Sequence, residues 1–304
     1  MDKNFYNQAS AKKLGWEPSW FGEKYFDDKL VRAIKKWQRQ RGISADGLCG
    51  PMTFRRLWTE RHERKVAGDF CSVDAPIYSN SIVYDGEFYP IKWDKFVLWS
   101  DDSGLQAKNG HYYNYSTRPK RNIRYFVSHW DVCLNSRSCQ GVLDKRGISV
   151  HFLIDNDGTI YQTMDLQHAA WHAGSERANR ASAGVEISNA YYPKYQNWYV
   201  KNGFGPRPIV KDAWVHGNML DNFLGFYPVQ LEAFKALCKA IHNATGIPLE
   251  APTNQFGSTS TKYVQDVPYG KFKGFVSHYH VSKNKIDCAG LDLVKFLEEI
   301  KEES

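Results

Sequence analysis

The sequence predicts an α/β fold, with a mixed central sheet flanked by helices over its C-terminal half and a small all-α module ahead of it. Two patterns carry that expectation. From residue 123 onward, compact apolar runs alternate with turns and amphipathic stretches, as strands interleaved with helices do. Residues 28–58, by contrast, hold two segments of helical periodicity separated by a turn. A chain of 304 residues can bury one core of ordinary size and a smaller second one. The expected organisation is a helical module over 1–60, a connecting region of strands and loops over 61–121, and the main domain over 122–304.

The elements follow in chain order. Leu30, Ile34 and Trp37, supported by Val31 and Ala33, recur at helical spacing between residues 28 and 41, and the pattern stops at Gly42. Asp46-Gly47 signals a turn, and Pro51 suits the first position of a second helix that would bury Phe54, Leu57 and Trp58. Residues 61–121 are rich in Tyr, Asp, Ser and Gly, with short alternating runs at 81–84 and 91–98. The run 123–128 reads as an apolar strand ending at His129. Residues 149–154, the turn Asp155-Asn156-Asp157-Gly158 and residues 159–162 read as a hairpin. A third strand, 183–188, carries Glu186. Pro228 opens a helix with Leu231, Phe234, Leu237, Cys238 and Ile241 on one face, ending before Gly246. Residues 274–278 form the last strand and 291–299 a closing helix.

Composition narrows the function classes. A hydrophobic share of 42% with 24% charged residues describes a soluble globular chain. No window approaches the roughly 20 apolar residues of a spanning helix, so membrane insertion is not expected. The opening residues show neither a basic n-region with an apolar run nor a small-residue cleavage site. Synthesis in a cytoplasm without a signal peptide is the expectation. Lys and Arg exceed Asp and Glu by 40 to 33, a net charge of +7 that suits a polyanionic partner. No helix carries a clustered Lys/Arg stripe with base-reading polar residues, so nucleic acid is not the expected one. Of six cysteines, Cys133 and Cys139 are close enough to pair, or to be two buried thiols; a cytosolic chain keeps them reduced.

The chemistry gathers at strand ends. A catalytic zinc takes three protein ligands and leaves one position open. His129 ends the first main-domain strand, and residues 278–288 bring His278, His280, Lys285, Asp287 and Cys288 into eleven positions after the last. A lone His is more often packing than ligand, and His278 and His280 alternate as residues on a strand would; the density of the cluster is harder to assign to packing.

These residues sit in an ordered set of motifs. His129 is followed by His151-Phe152-x-Ile154-x-x-Asp157-Gly158-Thr159-Ile160-Tyr161-Gln162, then Trp171-His172-Ala173-Gly174, Gly184-x-Glu186-Ile187-x-Asn189, and finally His278 with Lys285-x-Asp287. The set resembles the type-2 N-acetylmuramoyl-L-alanine amidases, the fold shared by phage lytic amidases and animal peptidoglycan recognition proteins. Residues 14–58, with Asp46-Gly47, Gly50-Pro51-x-Thr53 and Gln38-Arg39, resemble the peptidoglycan-binding domain found beside many wall hydrolases.

The resemblance implies a zinc cofactor held by His129, His278 and Asp287, with Glu186 as general base and Lys285 stabilising the oxyanion. It implies substrate contacts from His172, with Trp171 and Asn179 beside it; Trp171, Tyr191 and Tyr192 offer rings for stacking. Alternatives stay open. Cys288 stands where the family commonly has Pro, and some relatives use Cys as ligand, although the Lys-x-ligand register favours Asp287. His280 is a weaker alternative ligand, and His151 reads as a core histidine. Animal relatives often carry a disulfide near the positions of Cys133 and Cys139. The expected function is cleavage of the amide between N-acetylmuramic acid and L-alanine of the stem peptide, by a monomeric, phage-type endolysin with bacterial peptidoglycan as its partner. The alternatives are a catalytically silent recognition protein and a cytoplasmic wall-recycling amidase.

Overall fold

A computed structural model describes residues 2–41, 43–54, 56–57 and 80–302. The expected helix stop at Gly42, the expected burial of Trp58 and residues 58–79 of the connecting region lie outside the described residues. The chain divides into two compact units, residues 1–81 with 86–90, and residues 82–85 with 91–304.

In the first unit, Asp28–Gln40 is helical and capped by the Asp27 side chain, which accepts from the Lys29 and Leu30 amides. Leu30 and Ile34 are fully buried, on a core shared with Ala11, Trp16, Cys49 and Phe54. A helix not anticipated from the sequence, Lys3–Leu14, starts at Asp2 and ends at Gly15 in the left-handed conformation. Residues 51–54 and 56–57 are helical, as Pro51 suggested. The Asp46-Gly47 turn is held from beneath by the buried Gln38. Its amide donates to Asp46 Oδ1 (2.8 Å), Leu48 O (3.2 Å) and Thr53 Oγ1 (3.1 Å), and accepts from the Gly47 amide (2.9 Å).

The second unit is built on a six-stranded sheet. Its strands are β1 (Phe96–Leu98), β2 (Tyr125–Trp130), β3 (Phe152–Ile154), β4 (Ile160–Gln162), β5 (Ser182–Ile187) and β6 (Gly274–Ser277), in the order β6-β2-β5-β3-β4-β1. β6, β2, β5 and β3 run parallel, β4 is antiparallel to β3, and β1 is parallel to β4. The sheet is therefore mixed and mostly parallel, and its inner strands are buried on both faces, which is why they read as continuous apolar runs. β1 comes from the stretch read as connecting region, so part of 61–121 belongs to this sheet.

Helices Pro228–Thr245 and Leu293–Glu302 pack on β3 and β6 respectively, and meet through Phe234 and Phe296, stacked at 5.0 Å. Helix Ser136–Arg146 covers the side of the sheet that carries Leu153, through Cys139 and Leu143. One boundary differs from expectation in a way that matters. The last strand stops at Ser277, and His278–Val281 is a helical turn. Residues two apart there point about 200° apart around the axis, so His278 and His280 cannot share a face.

Candidate metal centre and active site

Side-chain alternation sends Tyr125, Val127 and His129 of β2 to one face of the sheet. Their register partners on β5 are Ser182, Gly184 and Glu186, so His129 and Glu186 stand side by side on that face. His278 arrives from the end of β6, the strand on the other side of β2, and Asp287 from the loop after it. The Tyr279 amide, donating to the Asp287 carbonyl at 3.1 Å, folds that loop back onto the helical turn.

Three donor atoms converge there. His129 Nδ1 lies 2.9 Å from His278 Nδ1 and 3.2 Å from Asp287 Oδ2, and His278 Nδ1 lies 3.0 Å from the same oxygen. All three residues are buried. Ligands 2.0–2.1 Å from a tetrahedral zinc are separated by about 3.3 Å, so the triangle matches one face of such a centre. Burial, and then His278, push the His129 imidazole down to about 4. Burial would raise the Asp287 carboxyl, but His278 and His129 outweigh it and hold it well below the usual carboxylate range. Two imidazoles and one carboxylate are a donor set that suits a divalent ion.

The alternative ligands are placed elsewhere. Both His280 nitrogens are used: Nδ1 accepts from the Ser277 amide at 3.0 Å, and Nε2 donates to Ser260 O at 2.6 Å. Cys288 is fully buried in an apolar cluster with Trp130, Val215, Phe223 and Tyr279.

Glu186 is half-buried, and its Oε2 is enclosed with no hydrogen-bond partner among the described residues. Burial raises its pKa well above the carboxylate range; Asp287 and Asp131 add to the rise, and the Lys285 ammonium opposes it. Lys285 itself is exposed, and its carbonyl accepts from His216 Nε2 at 3.0 Å.

The three expected substrate contacts fall differently. Trp171 is half-buried, edge-on to Tyr113 with ring centroids 5.3 Å apart. Asn179 is buried, and its Oδ1 accepts the amides of His172 (3.1 Å) and Ala173 (2.7 Å), so it shapes the loop that carries His172. His172 lies behind His129, with Nδ1 3.0 Å from His129 Nε2 and Nε2 3.2 Å from Ser182 Oγ. Tyr191 stacks on Phe223, while Tyr192 is exposed. His151 is a core residue, as its apolar neighbours suggested. Its Nδ1 accepts from the Gly184 amide at 3.2 Å, so Nε2 carries the proton donated to His168 O at 2.9 Å.

Two supporting residues gave no sequence signal. Arg121, in a run that reads as surface charge, is buried. It donates from Nη1 to Asn179 O, Arg180 O and Ser182 O, and from Nη2 to Leu166 O, tying residues 166, 179 and 180 to the start of β5. Asp131 is half-buried after β2 and accepts from the Cys133 and Asn189 amides and Ser188 Oγ. Cys133 and Cys139 are both free thiols.

Known proteins bear on this arrangement. Residues 119–288 match the family model described as N-acetylmuramoyl-L-alanine amidase, and residues 12–57 match one described as a peptidoglycan binding domain. Among solved structures, the chain is similar to the N-acetylmuramoyl-L-alanine amidase LysC from Clostridium intestinale, at 16% identity, 69% of this chain, 97% of that one and a TM-score of 0.38. It is also similar to the Staphylococcus aureus hydrolase AmiA, at 14%, 70%, 87% and 0.41, and to the catalytic domain of XlyA, at 16%, 69%, 98% and 0.37. No curated protein matches. The amidase match spans more than half of the chain and encloses His129, Glu186, His278 and Asp287: the protein belongs to the N-acetylmuramoyl-L-alanine amidase family, with a peptidoglycan-binding domain at its N-terminal end.

Proposed function

We propose that the protein is a zinc-dependent amidase that hydrolyses the bond between N-acetylmuramic acid and the L-alanine of the stem peptide, in the manner of an endolysin. The observation that carries this reading is the triangle of His129 Nδ1, His278 Nδ1 and Asp287 Oδ2, with the enclosed Glu186 carboxylate one strand away. Those three residues would hold the ion. When bound, zinc supplies an acidified water and polarises the scissile carbonyl.

The rest falls to the chain. Glu186, its pKa raised by burial and neighbouring acids, takes the proton of the attacking water on its carboxylate and passes it to the departing L-alanine nitrogen. The Lys285 ammonium, on the exposed loop before Asp287, supplies positive charge to the developing oxyanion. Residues 14–58 keep the enzyme on the wall. A wall-binding module suits lysis better than recycling, where such a module has little use.

Purified walls, treated with wild type and Glu186→Gln, test the reading. Wild type should clear the suspension and expose new L-alanine amino termini. Glu186→Gln should retain zinc and wall binding with turnover lower by about 10²–10⁴-fold. A wild-type protein that holds zinc and walls but releases no peptide would establish the recognition-protein alternative.

A further inference from the structure

We propose that His172 is a positioning residue: with Ser182, it holds the His129 imidazole in the tautomer whose Nδ1 is unprotonated and aimed at His278 and Asp287. The inference rests on the zinc reading for its purpose, but its geometry stands alone.

A hydrogen-bond chain runs from Ser182 through His172 to His129. Ser182 Oγ has one proton, and the Ala178 carbonyl lies 2.7 Å away to receive it. With that proton committed, Ser182 Oγ can only accept from His172 Nε2, at 3.2 Å. A neutral imidazole carries one N–H, so a protonated Nε2 leaves His172 Nδ1 as a bare acceptor. That atom lies 3.0 Å from His129 Nε2, which must then be the donor. His129 Nδ1 is left with its lone pair, 2.9 Å from His278 Nδ1. Run in that direction, the chain Ala178 O, Ser182, His172, His129 leaves the ligand nitrogen bare from three residues away, against the pull of Asp287 Oδ2, which lies 3.2 Å from that nitrogen and could accept a proton from it. Ser182 and Ala178 are fully buried, so no water competes for the first link.

The surroundings fix the His172 ring in that role. Asn179 Oδ1 pins the backbone amides of residues 172 and 173. Gly184 provides the space, since a Cβ there would sit 2.6 Å from both Nδ1 and Cε1 of His172. The His129 and His172 rings meet at 84° with centroids 5.3 Å apart. Both His172 nitrogens are engaged, which leaves neither for a substrate and replaces the contact role expected from the motif. Run in the opposite direction, the chain would put a proton on His129 Nδ1, the position the ion needs. The direction of the chain is therefore what an experiment must read.

Long-range ¹⁵N–¹H spectra of full-length, chelator-stripped wild type, labelled at histidine and recorded at neutral pH, report the tautomers directly. The expected result is Nε2–H and bare Nδ1 at both His129 and His172. A His129 Nδ1–H overturns the proposal, whatever the variants do. In His172→Phe, which keeps a ring without nitrogens, His129 should populate both tautomers. Its zinc affinity, by competition with a chromophoric chelator, should fall about 10–100-fold. His172→Asn places an amide oxygen near the Nδ1 position and should recover part of that loss. Folded His172→Phe binding zinc within twofold of wild type would also defeat the proposal. If wild type shows the expected tautomers yet binds no zinc, the zinc reading fails and the hydrogen-bond chain survives. The two failures are thus told apart.

Discussion

At the scale of single residues, the fold's treatment of histidine has a measurable cost. His280 is fully buried as a neutral ring, and burial lowers its pKa from 6.5 to about 4. Between those values the unfolded chain takes up a proton that the folded one refuses. Its contribution is therefore complete above pH 6.5 and is lost as the pH falls towards about 4, at about 1.4 kcal/mol per pH unit. Replacing His280 with Asn removes that titration while losing the hydrogen bond to Ser260. In the metal-free protein, His280→Asn should be less stable at pH 7.5 but lose stability more slowly between pH 6 and 5, by about that slope. Denaturant unfolding at the three pH values measures it; parallel curves for the two proteins would refute the assignment.

His129, His278, Asp287 and Glu186 carried motif signals and the structure gathers them, because each ends or follows a strand whose apolar run was plain. His172 carried a signal too, but its task was hidden. The motif singles out a histidine, whereas the partners of its two nitrogens come from β2 and β5, forty-three and ten residues away respectively. Arg121 gave none, because burying a guanidinium on backbone carbonyls leaves no trace in the local pattern.

At the scale of elements, legibility followed periodicity. Helix Pro228–Thr245 was anticipated almost to its ends by its Pro start, apolar face and Gly246 cap. Helix Lys3–Leu14 was not, because its apolar residues gather on no single face and Phe5 is largely exposed. It is held by specific polar bonds instead, among them Asn7 to Gly47 O (3.0 Å) and the Cys49 amide to Asn7 Oδ1 (2.8 Å). The loop 46–49 is thus clamped between Asn7 and Gln38. Gly47, at φ +80°, is needed there, since a Cβ would meet Val31 at 2.8 Å. Gln38→Ala should strand the buried Gly47 N–H, at about 1–3 kcal/mol. Native-state hydrogen exchange should show the Gly47 amide losing about 5–150-fold in protection, with β5 amides of the larger unit unaffected. Unchanged protection at Gly47 would mean that Asn7 alone holds the loop.

At the scale of the whole molecule, charge is unevenly shared between the two ends of the chain. Residues 1–60 hold twelve Lys and Arg against seven Asp and Glu, so five of the seven net positive charges lie in the segment that includes the wall-binding match. The remaining 244 residues contribute only two, and the candidate catalytic centre is buried among them. Attraction between exposed charges is screened beyond about 10 Å at 0.1 M salt, whereas contacts in a buried site are screened much less. Wall association and bond cleavage should therefore part company as salt rises. Between 50 and 500 mM NaCl, binding to insoluble walls is expected to weaken by about tenfold. Turnover of a soluble muropeptide, which needs no anchoring, should change by less than about twofold. Parallel pull-down and turnover assays across that range decide it. If the two fall together, the positive charge serves the catalytic encounter; if only binding falls, the basic N-terminal segment is what concentrates the enzyme on an anionic wall.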